Sequence, residues 1–379
     1  MERDTIQRSS SIPRRVVGYA FGATMLMLLG TGVVLSFMNP AFPPEPSDGR
    51  MYGSILSGDW MNAYQQDYEL ESPVRDLGLE IWGSLRFGLF REGLPGVVVG
   101  EQGMLFTAEE FTALPHARDE AARVREVAAF AAGVAAELGR LGVELVVVPL
   151  PSKVRLYRQY LGRYGFPPEA EERYQEFLSA LDAAGVDQVG LKEVLAGSHE
   201  RGVEIFLRTD THWTPAGAEL AAVALGEHVS AAGYLEDTPN RDYRLEFGEL
   251  HTHEGDLLSF IPLGPFRGRL QPAPDLIRRF ELHSGPAPGL GLFDTAAVPV
   301  VLVGTSYSAG AAWGFDAFLQ VELQAEVLNL AEEGRGPFVP MVAYLGSDTL
   351  HEAPPQLVIW EIPERYLPYA ELPELPTRR

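Results

Sequence analysis

Three short apolar runs, at residues 145–150, 300–303 and 357–362, constrain this chain more than any other feature. The first two contain no polar residue, and the third is interrupted only by Glu361. A strand that is apolar at consecutive positions must be covered on both faces, the condition of a central strand in a parallel sheet. Segments of helical composition lie around these runs. Residues 117–141 are rich in Ala, Glu, Arg and Leu and stop before Gly142, and residues 169–184 close at Gly185. Residues 215–232 begin after Thr214, a good N-cap, with Pro215 at the first helical position. Short strands are expected at 97–99 and 104–106, around the turn Gly100-Glu101-Gln102-Gly103, and at 203–207. Residues 233–297, with several Pro and Gly, read as mostly loop. Strands alternating with helices give an α/β fold, a mostly parallel sheet with helices on both faces. Ligands of such sheets bind beyond the carboxyl ends of the strands.

The chain has 379 residues, enough for one large domain or two ordinary ones. Residues 16–38 carry no charged side chain. As a helix they span roughly 34 Å, enough to cross the hydrocarbon core of a bilayer. Arg3, Arg8, Arg14 and Arg15 precede the segment, and Pro40, Pro43, Pro44 and Pro46 follow it. That asymmetry predicts a single N-terminal transmembrane helix with the remainder exported. The exit Leu35-Ser36-Phe37-Met38-Asn39-Pro40 offers no small-x-small cleavage site, and the apolar stretch exceeds that of a signal peptide. An uncleaved anchor is therefore expected for residues 1–38. A linker and an aromatic N-terminal segment packed on the main domain are expected over 39–94, the main domain over 95–370 and a tail over 371–379.

The formal net charge is −22 although the first fifteen residues are net basic, so the body is strongly acidic. Such a surface repels phosphate backbones, which argues against a nucleic-acid partner. With no cysteine, disulfides, thiolate metal sites and a cysteine nucleophile are excluded.

Two strings carry the chemistry. Asp210-Thr211-His212-Trp213 supplies an acid and an imidazole, and Gly304-Thr305-Ser306-Tyr307-Ser308 supplies a hydroxyl in a tight turn after an apolar strand. Serine is a poor nucleophile unless a base lies within hydrogen-bond reach and an acceptor orients that base. His212 is the expected base, Asp210 its partner and Ser306 the nucleophile, with backbone N–H groups of the 304–308 turn as oxyanion donors. Alone, each string is more often a loop cap or a turn; their co-occurrence beyond two strands of one sheet makes the catalytic reading competitive. Candidate substrate contacts are Arg365, Lys153, Tyr307 and Trp213, the last also as a wall beside the imidazole. The string His251-Thr252-His253-Glu254-Gly255-Asp256 has residue types that hold divalent ions. A polar loop with solvent-facing histidines is the simpler reading, and neither metal nor cofactor is expected.

The chain resembles the alginate O-acetyltransferases of the AlgJ/AlgX type, which carry an SGNH-hydrolase-like domain. The resemblance rests on the segments 99–107, 148–153, 209–213, 304–308, 332–338 and 360–365 in that order. Its layout is closer to AlgJ than to AlgX, which has an additional carbohydrate-binding module. The resemblance implies a three-layer α/β/α domain, with Ser306, His212 and Asp210 as triad. In ordinary SGNH hydrolases the Asp and His come last in the chain; here, as in this family, they precede the Ser. It also implies a periplasmic catalytic domain held at the inner membrane of a Gram-negative bacterium. The implied substrate is an exopolysaccharide such as alginate. The implied partners are an integral-membrane acyltransferase that passes acetyl groups outward and other polysaccharide-export proteins. Two alternatives remain: an acetyl esterase using the same triad, and a non-catalytic polymer-binding component of an export complex.

Overall fold

The three apolar runs stand side by side in one sheet. In a computed structural model of the chain, the described residues are 73–286, 298–369 and 371–376, with isolated helical positions between Tyr19 and Val34. An antiparallel pair, β1 (Val97–Val99) and β2 (Leu105–Thr107), comes first. The main sheet is built from β3 (Glu144–Leu150), β4 (Asp187–Gln188), β7 (Val300–Val303), β8 (Val327–Asn329) and β9 (Leu357–Pro363), in the order β4-β3-β9-β7-β8. All its pairings are parallel, with Val146 opposite Ile359 and Val301 opposite Val358.

Every residue of β7 and β9 is buried. Because side chains alternate across a pleated strand, one run serves two cores. Val146, Val148, Leu302 and Ile359 face Phe206, Leu225 and Phe315 on one side. Leu145, Val147, Val301, Val303 and Val358 face Val127, Phe177 and Met341 on the other. Each fully buried Val, Leu or Ile contributes about 1.5–3 kcal/mol, so the central strands are the most expensive part of the molecule to disturb. The helices Ala117–Gly139 and Arg173–Ala183 supply the second core, and Pro215–Ala232 and Phe315–Leu323 the first. Thr214 caps Pro215–Ala232 as expected, its hydroxyl accepting the Gly217 N–H at 3.1 Å.

Two expectations are corrected. Residues 203–207 form no strand of the sheet: Phe206 makes a single antiparallel bridge to Trp213, and the Tyr157 hydroxyl takes the N–H groups of Ile205 and Phe206. The segment is one side of a closed loop, so its apolar side chains fill the core without a neighbouring strand. The stretch 233–297 is not mostly loop. Its described part contains β5 (Tyr243–His253) and β6 (Asp275–Ser284), paired antiparallel with a register shift between Phe247 and Leu250. Most of β5 is exposed, so neither apolar run nor alternation marks it in the sequence.

The described chain divides into two compact units. In the smaller, the helix Pro73–Leu85 packs with residues 262–270, and the Ser84 hydroxyl donates to the Leu263 carbonyl at 3.0 Å. The larger holds residues 91–261 and 271–379 and contains both cores. The expected transmembrane segment at 16–38 and the linker after it lie, apart from the isolated helical positions, outside the described residues. Among the described residues, no helix is long and apolar enough to cross a membrane.

Candidate active site

The larger unit gathers its polar groups at the carboxyl ends of β3, β7 and β9. After β7 the chain turns sharply at Gly304 into a single helical turn, Ser306–Ala309. A Cβ at 304 would sit 2.6 Å from the Glu361 Oε2 and 2.9 Å from the Ser308 Oγ, so only glycine lets the turn pass this close to β9. The buried Glu361 carboxyl accepts the Thr305 N–H at 2.8 Å and the Ser308 hydroxyl at 3.1 Å. Burial pushes its pKa upward. The Thr305 hydroxyl accepts the Tyr307 N–H at 3.3 Å. Thr305 O accepts the N–H groups of Ser308 and Ala309. Among the described residues, the Ser306 N–H meets no acceptor.

The second element is the loop 207–214. Leu207 N–H donates to His212 O at 3.0 Å and Thr214 N–H to Ile205 O at 2.8 Å, which closes it. Asp275 at the start of β6 accepts from the Arg208 N–H, the Thr209 N–H and the Thr209 hydroxyl, the last at 2.6 Å. From below, the Lys153 ammonium donates to the carbonyls of Leu105, Asp210 and Arg208, at 2.5, 2.9 and 3.3 Å. Five backbone and side-chain groups of this loop are therefore fixed by partners distant in sequence.

The two elements meet. The Ser306 Oγ lies 2.7 Å from the His212 Nε2, and the His212 Nδ1 lies 2.6 Å from the Asp210 Oδ1. With Asp210 ionised, the Nδ1–H donates to the carboxylate and the free Nε2 lone pair accepts the Ser306 O–H. Burial opposes ionisation of Asp210, but hydrogen bonds from His212 and His253 outweigh it and hold the carboxyl far below the usual range. The imidazole of His212 stacks on the indole of Trp313, with centroids 4.2 Å apart and planes 15° off parallel, and meets the ring of Tyr307 edge-on at 5.0 Å. Trp313 Nε1 donates to Ser306 O at 3.0 Å, tying this wall to the backbone of Ser306.

A family model for the SGNH hydrolase-like domain of the acetyltransferase AlgX matches residues 97–364. The chain belongs to the AlgX acetyltransferase family. Curated relatives include the probable alginate O-acetylase AlgJ of Pseudomonas aeruginosa, 39% identical over 93% of this chain and 88% of its own length. That of Azotobacter vinelandii is 40% identical over 83% of this chain and 81% of its own length. Among solved structures, the O-acetyltransferase domain of Pseudomonas putida AlgJ superposes with a TM-score of 0.65 at 38% identity, covering 74% of this chain and 94% of that domain. AlgX of Pseudomonas aeruginosa shares the fold, with a TM-score of 0.54 at 23% identity over 70% of this chain and 61% of its own. The SGNH-like α/β fold with its parallel sheet is thus established, and the chain is an acetyltransferase-family enzyme.

Within this AlgX-family domain, the expected substrate contacts are placed differently from Ser306, His212 and Asp210. Lys153 is 1% exposed and spends its ammonium protons on backbone carbonyls. Trp213 is wholly enclosed, its Nε1 donating to Tyr307 O at 3.1 Å, so it lies behind the site. Tyr307 is buried and its hydroxyl donates to Thr211 O at 2.8 Å. The guanidinium of Arg365 lies 5.1 Å from the ring centres of both Tyr307 and Tyr366, and its side chain is 7% exposed. Lys153, Trp213 and Tyr307 are corrected from substrate contacts to groups that set the shape of the site, since their polar atoms are spent on backbone carbonyls. The buried Nε of Arg365 meets no hydrogen-bond partner among the described residues, 3.5 Å from the Glu109 Oε2. The wall expected of Trp213 is supplied by Trp313, which sequence reasoning missed because the intervening Gly310-Ala311-Ala312 carries no signal.

The string 251–256 is also reassigned. His253 does not face solvent: its Nε2 lies 2.8 Å from the Asp210 Oδ2. Asp256 accepts the Thr211 N–H at 2.8 Å, and its own N–H donates to the Asp210 Oδ2 at 3.1 Å. Asp210, His212 and Asp256 place ligand-type atoms within 4.8 Å of one another. Both nitrogens of His212 are already committed, one to Asp210 and one to Ser306. Beside it, a groove of about 760 Å³ runs along the β5–β6 pair, lined by Phe247, His251, Arg279, Phe280, Ala311 and Ala312 among others.

Proposed function

We propose that this chain is an alginate O-acetyltransferase that works through a Ser306–His212–Asp210 triad. The observation that carries the reading is the unbroken hydrogen-bonded line from the Ser306 hydroxyl through the imidazole to the carboxylate. Its relatives' names, alginate O-acetylases, support the polymer.

In the first half-reaction the Ser306 Oγ attacks the carbonyl carbon of an acetyl donor while its proton passes to the His212 Nε2. Asp210 stabilises the resulting imidazolium, and the Ser306 N–H meets the developing oxyanion. Collapse expels the donor's leaving group, which takes the proton from His212, and leaves acetyl-Ser306. In the second half a sugar hydroxyl gives its proton to His212 and attacks the acetyl carbon; Ser306 leaves and recovers the proton. The neutral imidazole is restored, so one triad serves both halves. The stacked indole of Trp313 keeps one face of the imidazole dry, which favours a bound sugar over bulk water as acceptor.

The uncharged stretch 16–38 supports a retained inner-membrane anchor with the catalytic domain in the periplasm. On that reading the acetyl donor is delivered across the membrane by an integral-membrane acyltransferase. The test is to supply a chromogenic acetyl ester with and without polymannuronate and to measure both released acetate and polymer-bound acetyl. Wild type transfers acetyl to polymer and Ser306→Ala does neither. Acetate release that polymer does not divert would make the enzyme an esterase, and full acetylation by Ser306→Ala would leave only a binding role.

A further inference from the structure

The Asp210 carboxylate has two oxygens with different duties. Oδ1 takes both the His212 Nδ1–H at 2.6 Å and the His212 backbone N–H at 2.9 Å. Oδ2 takes the His253 Nε2–H at 2.8 Å and the Asp256 N–H at 3.1 Å. A carboxylate turns readily about its terminal torsion, where the energy well is broad. With only Oδ1 held, small rotations would carry the acceptor out of line with the imidazole. We infer that His253 is a positioning residue for the acetyl transfer, a second imidazole that pins the far oxygen of the triad acid so that Oδ1 stays aimed at His212.

Several features show that this contact is built into the fold. His253 ends β5, and its register partner is Asp275, whose carboxylate holds the Thr209 N–H and hydroxyl from the same side. Gly255 lets the strand end pass directly beneath the loop: a Cβ there would lie 2.1 Å from Thr209 O and 2.6 Å from Asp210 N. The His253 side chain is 21% exposed and meets Trp313 edge-on at 6.4 Å, so it borders the same indole that covers His212. The charged groups that face it are Asp210, Asp256 and Asp275; the hydrogen bond to Asp210 raises its pKa, opposed by burial. Either charge state of the imidazole can donate from Nε2, so the contact itself survives across the working pH range.

The inference rests on the triad reading, and the experiment separates the two. Hydrolysis of a chromogenic acetyl ester is followed against pH for wild type, Ser306→Ala, His253→Ala and His253→Gln. Loss of the donor loosens Asp210 and is expected to lower kcat about 10- to 100-fold, with KM for the small ester within about twofold. It also leaves more negative charge facing His212, which holds the imidazolium more tightly, so the acid limb of the kcat/KM profile moves to higher pH. Glutamine places an amide N–H near the Nε2 position and is expected to restore most of kcat and move the limb back. If His253→Ala does not fold, His253→Asn, polar but too short to reach Oδ2, takes its place. Wild-type kcat and pH profile in a folded His253→Ala, with Ser306→Ala inactive, would overturn the role of His253 alone. A Gln variant as impaired as the Ala variant would overturn it too. An active Ser306→Ala would instead bring down the triad reading, and this inference with it.

Discussion

The indole of Trp313 lies flat against the imidazole of His212, 4.2 Å away, while its N–H is bonded to the carbonyl of Ser306. A single side chain thus touches both the imidazole of His212 and the backbone of Ser306. In the proposed mechanism His212 becomes an imidazolium during acyl transfer, and the ring face below it then gains a cation–π attraction of about 0.5–2 kcal/mol. Trp313→Ala is therefore expected to lower kcat about 3- to 30-fold, with Trp313→Phe, which keeps the face but not the N–H, between it and wild type. Steady-state rates on an acetyl ester check this. Equal rates in all three proteins would reduce the indole to a passive cover.

Lys153 has the residue type of a polyanion contact and the environment of a structural tie. Burial lowers its pKa to about 8 against the attraction of Glu110, yet three carbonyls accept from its ammonium. Lys153→Met matches the length and removes the donors, leaving buried acceptors at about 1–3 kcal/mol each. The expected result is a loss of about 3 kcal/mol or more in unfolding free energy by denaturant titration. For the folded fraction, KM for polymer should not change. A stable variant with a raised polymer KM would return Lys153 to substrate binding.

The central sheet was legible because its strands are apolar without interruption, a pattern that few other arrangements can bury; β7 begins and ends where the Val-Val-Leu-Val run does. The meeting of Asp210, His212 and Ser306 was legible because each falls in a short string whose residue types match one chemistry. What stayed hidden depends on contacts across long stretches of chain. Asp275 holds the 208–209 backbone from 66 residues away, and nothing around Asp275 distinguishes it from any surface aspartate. His253 sits in a polar string that reads as solvent-facing, because the strand that carries it is itself exposed along most of its length. Lys153 misled for the opposite reason: a cation at the carboxyl end of a strand looks available, and only packing shows that backbone carbonyls already surround it.

The Asp210–His253 pair also fixes how stability responds to pH. The folded Asp210 carboxyl is held below its unfolded value of about 3.9, so its contribution is full above that value and lost as pH falls through the folded one. The folded His253 is raised above its unfolded value of about 6.5, so its contribution is full below that value and lost as pH rises through the folded one. Both are complete only between about pH 4 and about pH 6.5. Melting temperatures of wild type and His253→Gln should differ most in that window and converge on the alkaline side. The gap between wild type and Asp210→Asn should instead narrow below about pH 4. A His253→Gln gap that widens at alkaline pH would reverse the assigned direction.

Gly255 offers the sharpest separation of activity from stability. It carries no functional group, and its φ is that of an ordinary extended residue, −68°, so alanine suits its backbone. What alanine cannot do is occupy the space, since its Cβ would stand 2.1 Å from Thr209 O and 2.2 Å from Thr209 C, backbone atoms of a segment whose Thr209 N–H is held by Asp275 and whose Asp210 carbonyl is held by Lys153. One of the two segments must therefore shift, either the loop bearing Asp210 or the strand end bearing His253 and Asp256. Either shift breaks the grip on the Asp210 Oδ2 while leaving the sheet and both cores untouched. Gly255→Ala is expected to lower kcat by about 100-fold, the scale of a misplacement near 1 Å, with a destabilisation of about 1–3 kcal/mol typical of local overpacking. Ester kinetics paired with thermal melts decide the matter: near-wild-type kcat in this variant would mean that the acid needs no support from the 253–256 segment.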